Sequence, residues 1–126
     1  MKATEIKINN LVWILGEERK VETISNLPAR GDMYWVGTEG LIDVKMIHVR
    51  GIPLTEEKLL ELGFEKVLDF FTKHAGSNVM SIYCFESFSR VQIVTQTICS
   101  IKYVHELQNL YFAITGEELV KYKKPL

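Results

Sequence analysis

The chain has 126 residues, enough for one domain with a real core or for two very small lobes. Fifteen Lys and Arg against sixteen Asp and Glu leave a net charge of −1, so no global field draws it to nucleic acid or to an anionic membrane. Apolar residues at 47% and charged residues at 25% are ordinary globular values, and no apolar run approaches the roughly 20 residues of a membrane span. The first eight residues lack the apolar centre of a secretion signal, and cytoplasmic residence is the expectation.

Ile6, Ile8, Leu11, Val12, Trp13 and Leu15, followed by Val21 and Ile24, predict two strands joined by a turn around Gly16. Asn9 and Asn10 interrupt the alternation and mark a bulge or the true strand start. Asn26 to Asp32 reads as a loop from its Pro, Gly, Asn and Asp content. Met33 to Val36 is a short strand, turned at Gly37 to Gly40, with Leu41 to Val49 as the return strand. Four or five short strands within about fifty residues predict an N-terminal antiparallel sheet or small β-barrel.

A short central helix follows. Thr55 is a good N-cap, Glu56 and Glu57 suit the positive end of the helix dipole, and Gly63 ends it. Pro53 biases Ile52 toward extended backbone, and Leu59, Leu60 and Leu62 give the helix its buried side. Phe64 to His74 fits a helix through Val67, Leu68 and Phe71, and a strand through its adjacent aromatics. Strand is favoured, because Ala75 to Asn78 makes a hairpin-sized turn into Val79 to Phe85. After Ser87 to Ser89, Arg90 to Ser100 is rich in Val, Ile and Thr and reads as one strand, with Gln92, Thr95, Gln96 and Thr97 on a wet face. A hairpin about Phe88 sets Cys84 opposite Gln92 with Cys99 near the far end, so both cysteines are expected as buried, reduced thiols.

The C-terminal helix is the organising element. Tyr103, Val104, Leu107, Leu110, Tyr111 and Ile114 fall within roughly one third of the helical circumference, the apolar stripe of a helix packed on a sheet, and Gly116 closes it. His105, Gln108, Asn109 and Phe112 form a second stripe at i, i+3, i+4 and i+7. That stripe is either a second buried contact with hydrogen-bonded polar groups or an exposed recognition surface, and it supplies the candidates for protein binding. Glu117 to Leu126 adds a turn or edge strand.

Several blocks resemble an uncharacterised family of short proteins encoded in bacterial prophages and related mobile elements. They are Gly51 to Glu57 with Leu60 and Leu62 to Phe64, and Tyr103 to Ala113 with Thr115 to Leu119. Lys7 to Val12, Gly16 and Val21 resemble the family's N-terminal strand pair, while Glu65 to Ser100 does not align. The resemblance implies a phage or mobile-element setting and assigns no activity.

Searching the residues for chemistry finds little. His105-Glu106 begins like the zinc-protease pattern His-Glu-x-x-His, but Asn109 occupies the second ligand position. His48 and His74 have no carboxylate or thiol at ligand spacing. Gly37 to Gly40 lacks the third glycine of a dinucleotide fingerprint and the Lys of a phosphate loop, and neither cysteine has a neighbouring His. No catalytic residue, metal or cofactor is expected. Arg19, Lys20, Arg30, Lys45 and Arg50, with Tyr34 and Trp35 as stacking platforms, are the candidates for nucleic-acid binding, although acidic residues interleave them.

The expectation is a single α+β domain over residues 1–126, with possible sub-lobes at 1–52 (β-rich) and 53–126 (αββα-like). A non-enzymatic accessory protein of a phage or mobile element, acting through a protein partner or self-association, is the first functional reading. A nucleic-acid-binding small barrel is the alternative.

Overall fold

The computed structural model describes residues 6–27, 33–39, 41–75, 77–93 and 96–121. The architecture is α+β: two five-stranded antiparallel sheets, a short helix and a C-terminal helix packed on sheet. The chain divides into two compact units, Met1–Ile52 with Val104–Asn109, and Pro53–Tyr103 with Leu110–Leu126.

The first unit holds β1 (Leu11–Ile14), β2 (Glu17–Leu27), β3 (Met33–Thr38), β4 (Leu41–Lys45) and β5 (Val49–Arg50), in the order β4-β3-β2-β1-β5. The asparagine pair marks the strand start: Asn9 turns the chain at φ 77 and donates its N–H to the Val21 carbonyl at 2.8 Å. Leu15 and Gly16, at φ 52 and 81, then close a two-residue turn whose twist suits the flanking strands. The predicted return strand Leu41 to Val49 is broken. A 3-10 turn at Met46–His48 buries Met46, and Val49 donates its N–H back to the Met46 carbonyl. β5 therefore leaves β4 and pairs with β1, Trp13 opposite Arg50 and Ile14 opposite Val49. The result is an open sheet and not a closed barrel. Alternation sends Val12, Ile14, Val21, Val36 and Val49 to one face, where they form a core with Ile6 and Met46.

In the second unit α1 (Glu56–Glu61) begins at Thr55, whose Oγ1 accepts from the Lys58 N–H at 3.2 Å, and Gly63 at φ 88 follows its end. Thr55→Ala is expected to cost about 1 kcal/mol in chemical denaturation, the usual worth of such a cap. Leu59 and Leu62 are buried as predicted, but Leu60 is exposed, because a six-residue helix presents only one narrow face inward. The sheet is a meander of β6 (Glu65–Val67), β7 (Phe70–Ala75), β8 (Asn78–Cys84), β9 (Ser89–Ile93) and β10 (Gln96–Ile101). Five strands replace the two or three predicted, for two reasons. Phe64 to His74 is two strands folded at Leu68 and Asp69, and Arg90 to Ser100 turns back on itself with Ile93 opposite Gln96. The register also moves the cysteines. Cys84 faces Ser89, whose Oγ donates to its Sγ at 3.6 Å, and Cys99 faces Val91. Neither cysteine forms a disulfide, and both are half-buried rather than buried. Phe71, Ala75, Met80, Ile82, Ser89, Val91 and Ile101 are buried in this sheet. Leu119 in the tail is buried too, but no strand forms over Glu117 to Lys121.

Helix α2 (Val104–Thr115) starts one residue after the predicted stripe begins at Tyr103, because Ile101 ends β10 and Tyr103 bridges to Pro53. Val104, Leu107 and Tyr111 are buried and Leu110 is half-buried, whereas Tyr103 and Ile114 are exposed. Thr115 Oγ1 donates to the Tyr111 carbonyl at 2.8 Å, and Gly116 at φ 75 ends the helix.

The Tyr111 hydroxyl donates to the His74 carbonyl of β7 at 3.4 Å. Burial, with a smaller contribution from Glu117, raises its pKa above the ordinary value of 10.0. A raised folded-state value means that stability is intact below the ordinary value and falls as pH climbs through the folded one. Tyr111→Phe is therefore expected to flatten the alkaline decline of the denaturation midpoint relative to the unsubstituted protein.

Candidate interaction surfaces

The polar stripe of α2 divides. His105 and Gln108 are each 1% exposed, and Asn109 is half-buried. Gln108 Oε1 accepts from the Leu11 N–H at 2.7 Å, and Asn109 Oδ1 accepts from Asn10 Nδ2 at 2.9 Å. Asn10 Oδ1 in turn accepts from the Lys7 N–H at 2.7 Å. These amides tie the first turns of α2 to the backbone entering β1, so at Gln108 and Asn109 the stripe is the buried, hydrogen-bonded contact of the two alternatives and not an exposed surface. Buried polar groups must keep their partners, and the Gln108 and Asn109 carbonyl oxygens have theirs. Phe112 alone stays on the surface, 41% exposed, in the second unit.

The basic candidates sort by strand register. Arg50 lies opposite Trp13, Lys20 opposite Leu11, and Trp35 between Ser25 and Lys45. All of these positions alternate with core residues, so Lys20, Trp35, Lys45 and Arg50 belong to the face of the first sheet turned away from its core. Lys45 Nζ sits 5.7 Å from the centroid of the Trp35 ring, a cation–π arrangement. Arg19 is separate: it pairs with Val12, forms an ion pair with Glu17, and donates from Nη1 to the Glu39 carbonyl at 3.1 Å. Tyr34 is exposed, and Arg30 lies outside the described residues.

Sequence reasoning missed two features. Trp13 reads only as part of the first strand, and it is 41% exposed beside Arg50. Its odd position in Leu11–Ile14, out of phase with Val12 and Ile14, was the available signal. The second is an aromatic series on the second sheet. Phe70 and Tyr83 meet edge to face at 5.5 Å, Tyr83 and Phe85 at 4.7 Å, and Phe85 stacks on Phe88 at 4.7 Å. The Arg90 guanidinium lies 5.3 Å over Phe85. Next to this series, Leu68 is 86% exposed at φ 56.

His74 lines a shallow hollow with Gly63, Glu65, Thr72, Lys73 and Val79. Among the described residues no group of three or more His, Cys, Asp or Glu is placed to hold a metal ion, and no helix is long and apolar enough to cross a membrane. Compared with protein-family models, curated proteins and solved structures, the chain matches none.

Proposed function

We propose that this is a non-enzymatic accessory protein of a phage or mobile element that works by docking protein, and that the partner its surface fits is a second copy of the chain. The mobile-element setting rests on the resemblance of the Gly51 to Phe64 and Tyr103 to Leu119 blocks. The docking reading rests on one observation: the aromatic series Phe70, Tyr83, Phe85 and Phe88 lies on the outward side of the second sheet, with Leu68 86% exposed at its edge. A leucine in the left-handed region costs about 1–2 kcal/mol, and a leucine so exposed gains nothing back from burial. Leu15 is likewise left-handed and exposed in the β1–β2 turn, so it is the aromatic neighbours of Leu68 that set this turn apart.

The surroundings favour a two-fold arrangement. Across the sheet the outward row runs Val67, Phe70, Tyr83, Arg90, Ser100. Asp69 lies at the β6 end of this row and Arg90 toward the β10 end. A two-fold axis through the Phe70–Tyr83 pair sets each copy's cation against the other's carboxylate, with the aromatics between them. An isologous interface needs that self-complementarity. Sedimentation equilibrium tests the reading. A reversible dimer is expected, weakened by Arg90→Glu and recovered when Asp69→Arg is added. Leu68→Gly is expected to raise stability by about 1 kcal/mol while weakening the dimer. A monomer at every concentration reached would end the proposal.

A further inference from the structure

We infer that the outward face of the first sheet is a binding site for single-stranded nucleic acid, a surface separate from the one proposed for self-association. Five residues build it: Trp13, Lys20, Trp35, Lys45 and Arg50. Register gives them one face, since Trp13 pairs with Arg50 on β5 and with Glu18 on β2, while Trp35 pairs with Lys45 on β4.

The chemistry of the face is specific in two ways. The Trp13 indole, 41% exposed, accepts the flat face of an unstacked base, which a duplex keeps inside its own stack, while Trp35 is half-buried with Lys45 Nζ over its ring. The three cations match the spaced negative charge of a phosphate backbone, and Glu18 opposite Trp13, Glu22 at the β2 bulge and Glu39 are the carboxylates that share a hollow with Lys20. The chain as a whole carries −1, so the attraction is local and not a property of net charge. Each tryptophan already has a cation as its cross-strand neighbour, and a base stacked on the indole would bring its phosphate toward that cation. Arg19 is excluded from the site because register sets it opposite the core residue Val12, on the other side of the sheet, where it pairs with Glu17.

The test is a titration of the full chain with a labelled oligothymidine of about 12 nucleotides, within the usual span of one small binding sheet. Tryptophan fluorescence and label anisotropy are read together. Quenching with an anisotropy rise is expected at low salt. Three phosphate contacts to a single strand predict a log–log salt slope near −2. Trp13→Ala should weaken binding by about tenfold, and Trp13→Phe by less, because a smaller ring still stacks. Lys20→Glu, Lys45→Glu and Arg50→Glu combined should abolish binding, with circular dichroism unchanged because all three side chains lie on the outward face. Arg19→Gln should leave it intact. Absence of binding at low salt would overturn the inference. So would equal affinity for duplex of the same length, or survival of binding in the triple variant.

Discussion

Asn10→Leu is expected to cost about 2–5 kcal/mol of folding free energy, far more than a change of similar size and shape would cost in an apolar core. Asn10 is fully buried, and its side chain works in both directions. Oδ1 takes the Lys7 N–H and Nδ2 gives a hydrogen bond to Asn109 Oδ1, at 2.7 and 2.9 Å. Leucine fills the space but deletes both partners, leaving a backbone donor and a helix amide without their bonds. Each such loss costs roughly 1–3 kcal/mol. Asn10 also anchors the ladder through its backbone, since its carbonyl accepts from the Val21 N–H at 2.8 Å. That bond survives the substitution, so β2 should keep its register while the Lys7 and Asn109 attachments loosen. Urea denaturation gives the total, and hydrogen exchange at Lys7 gives the local part. A loss below about 0.5 kcal/mol, within the range of surface substitutions, would mean that the amide network does not hold this entry to β1.

The same network explains what the sequence made legible and what it hid. Helical periodicity located α2 and its inward residues Val104, Leu107 and Tyr111, because burial of one face repeats every 3.6 residues. It was silent on whether His105 and Gln108 face water or protein, since that depends on a partner 97 positions away: the Leu11 N–H that Gln108 accepts. The strand count failed for a related reason. Two-residue hairpins are recognised by Asn or Gly in the turn, and the β6–β7 turn has Leu68 and Asp69 instead. Likewise, Ile93 pairs with Gln96 within a run, Arg90 to Ser100, that sequence rules assign to one strand. The candidate surfaces were partly legible. Lys20, Trp35, Lys45 and Arg50 were named from composition, but only the register separates them from Arg19 and adds Trp13.

Phe71→Ala is expected to be the most destabilising single truncation in the second sheet, at about 3–5 kcal/mol. Phe71 is 1% exposed on a central strand, opposite Ile82 on β8 and Lys66 on β6. Truncation removes its transfer free energy and leaves a cavity that the surrounding sheet cannot collapse to fill. Its neighbour Phe70 makes the comparison sharp. The two residues differ by one position, so the pleat sends their rings to opposite faces, and Phe70 packs edge to face with Tyr83 on the half-exposed side. Phe70→Ala should therefore cost only about 1–2 kcal/mol, from partial burial and one aromatic pair. It should instead weaken the dimer proposed above. The two alanine variants thus test register and function together. Equal destabilisation would place both rings in the core and remove the aromatic surface on which self-association depends. A large loss at Phe71, with a small loss and a monomer at Phe70, separates the face that folds this unit from the face that binds.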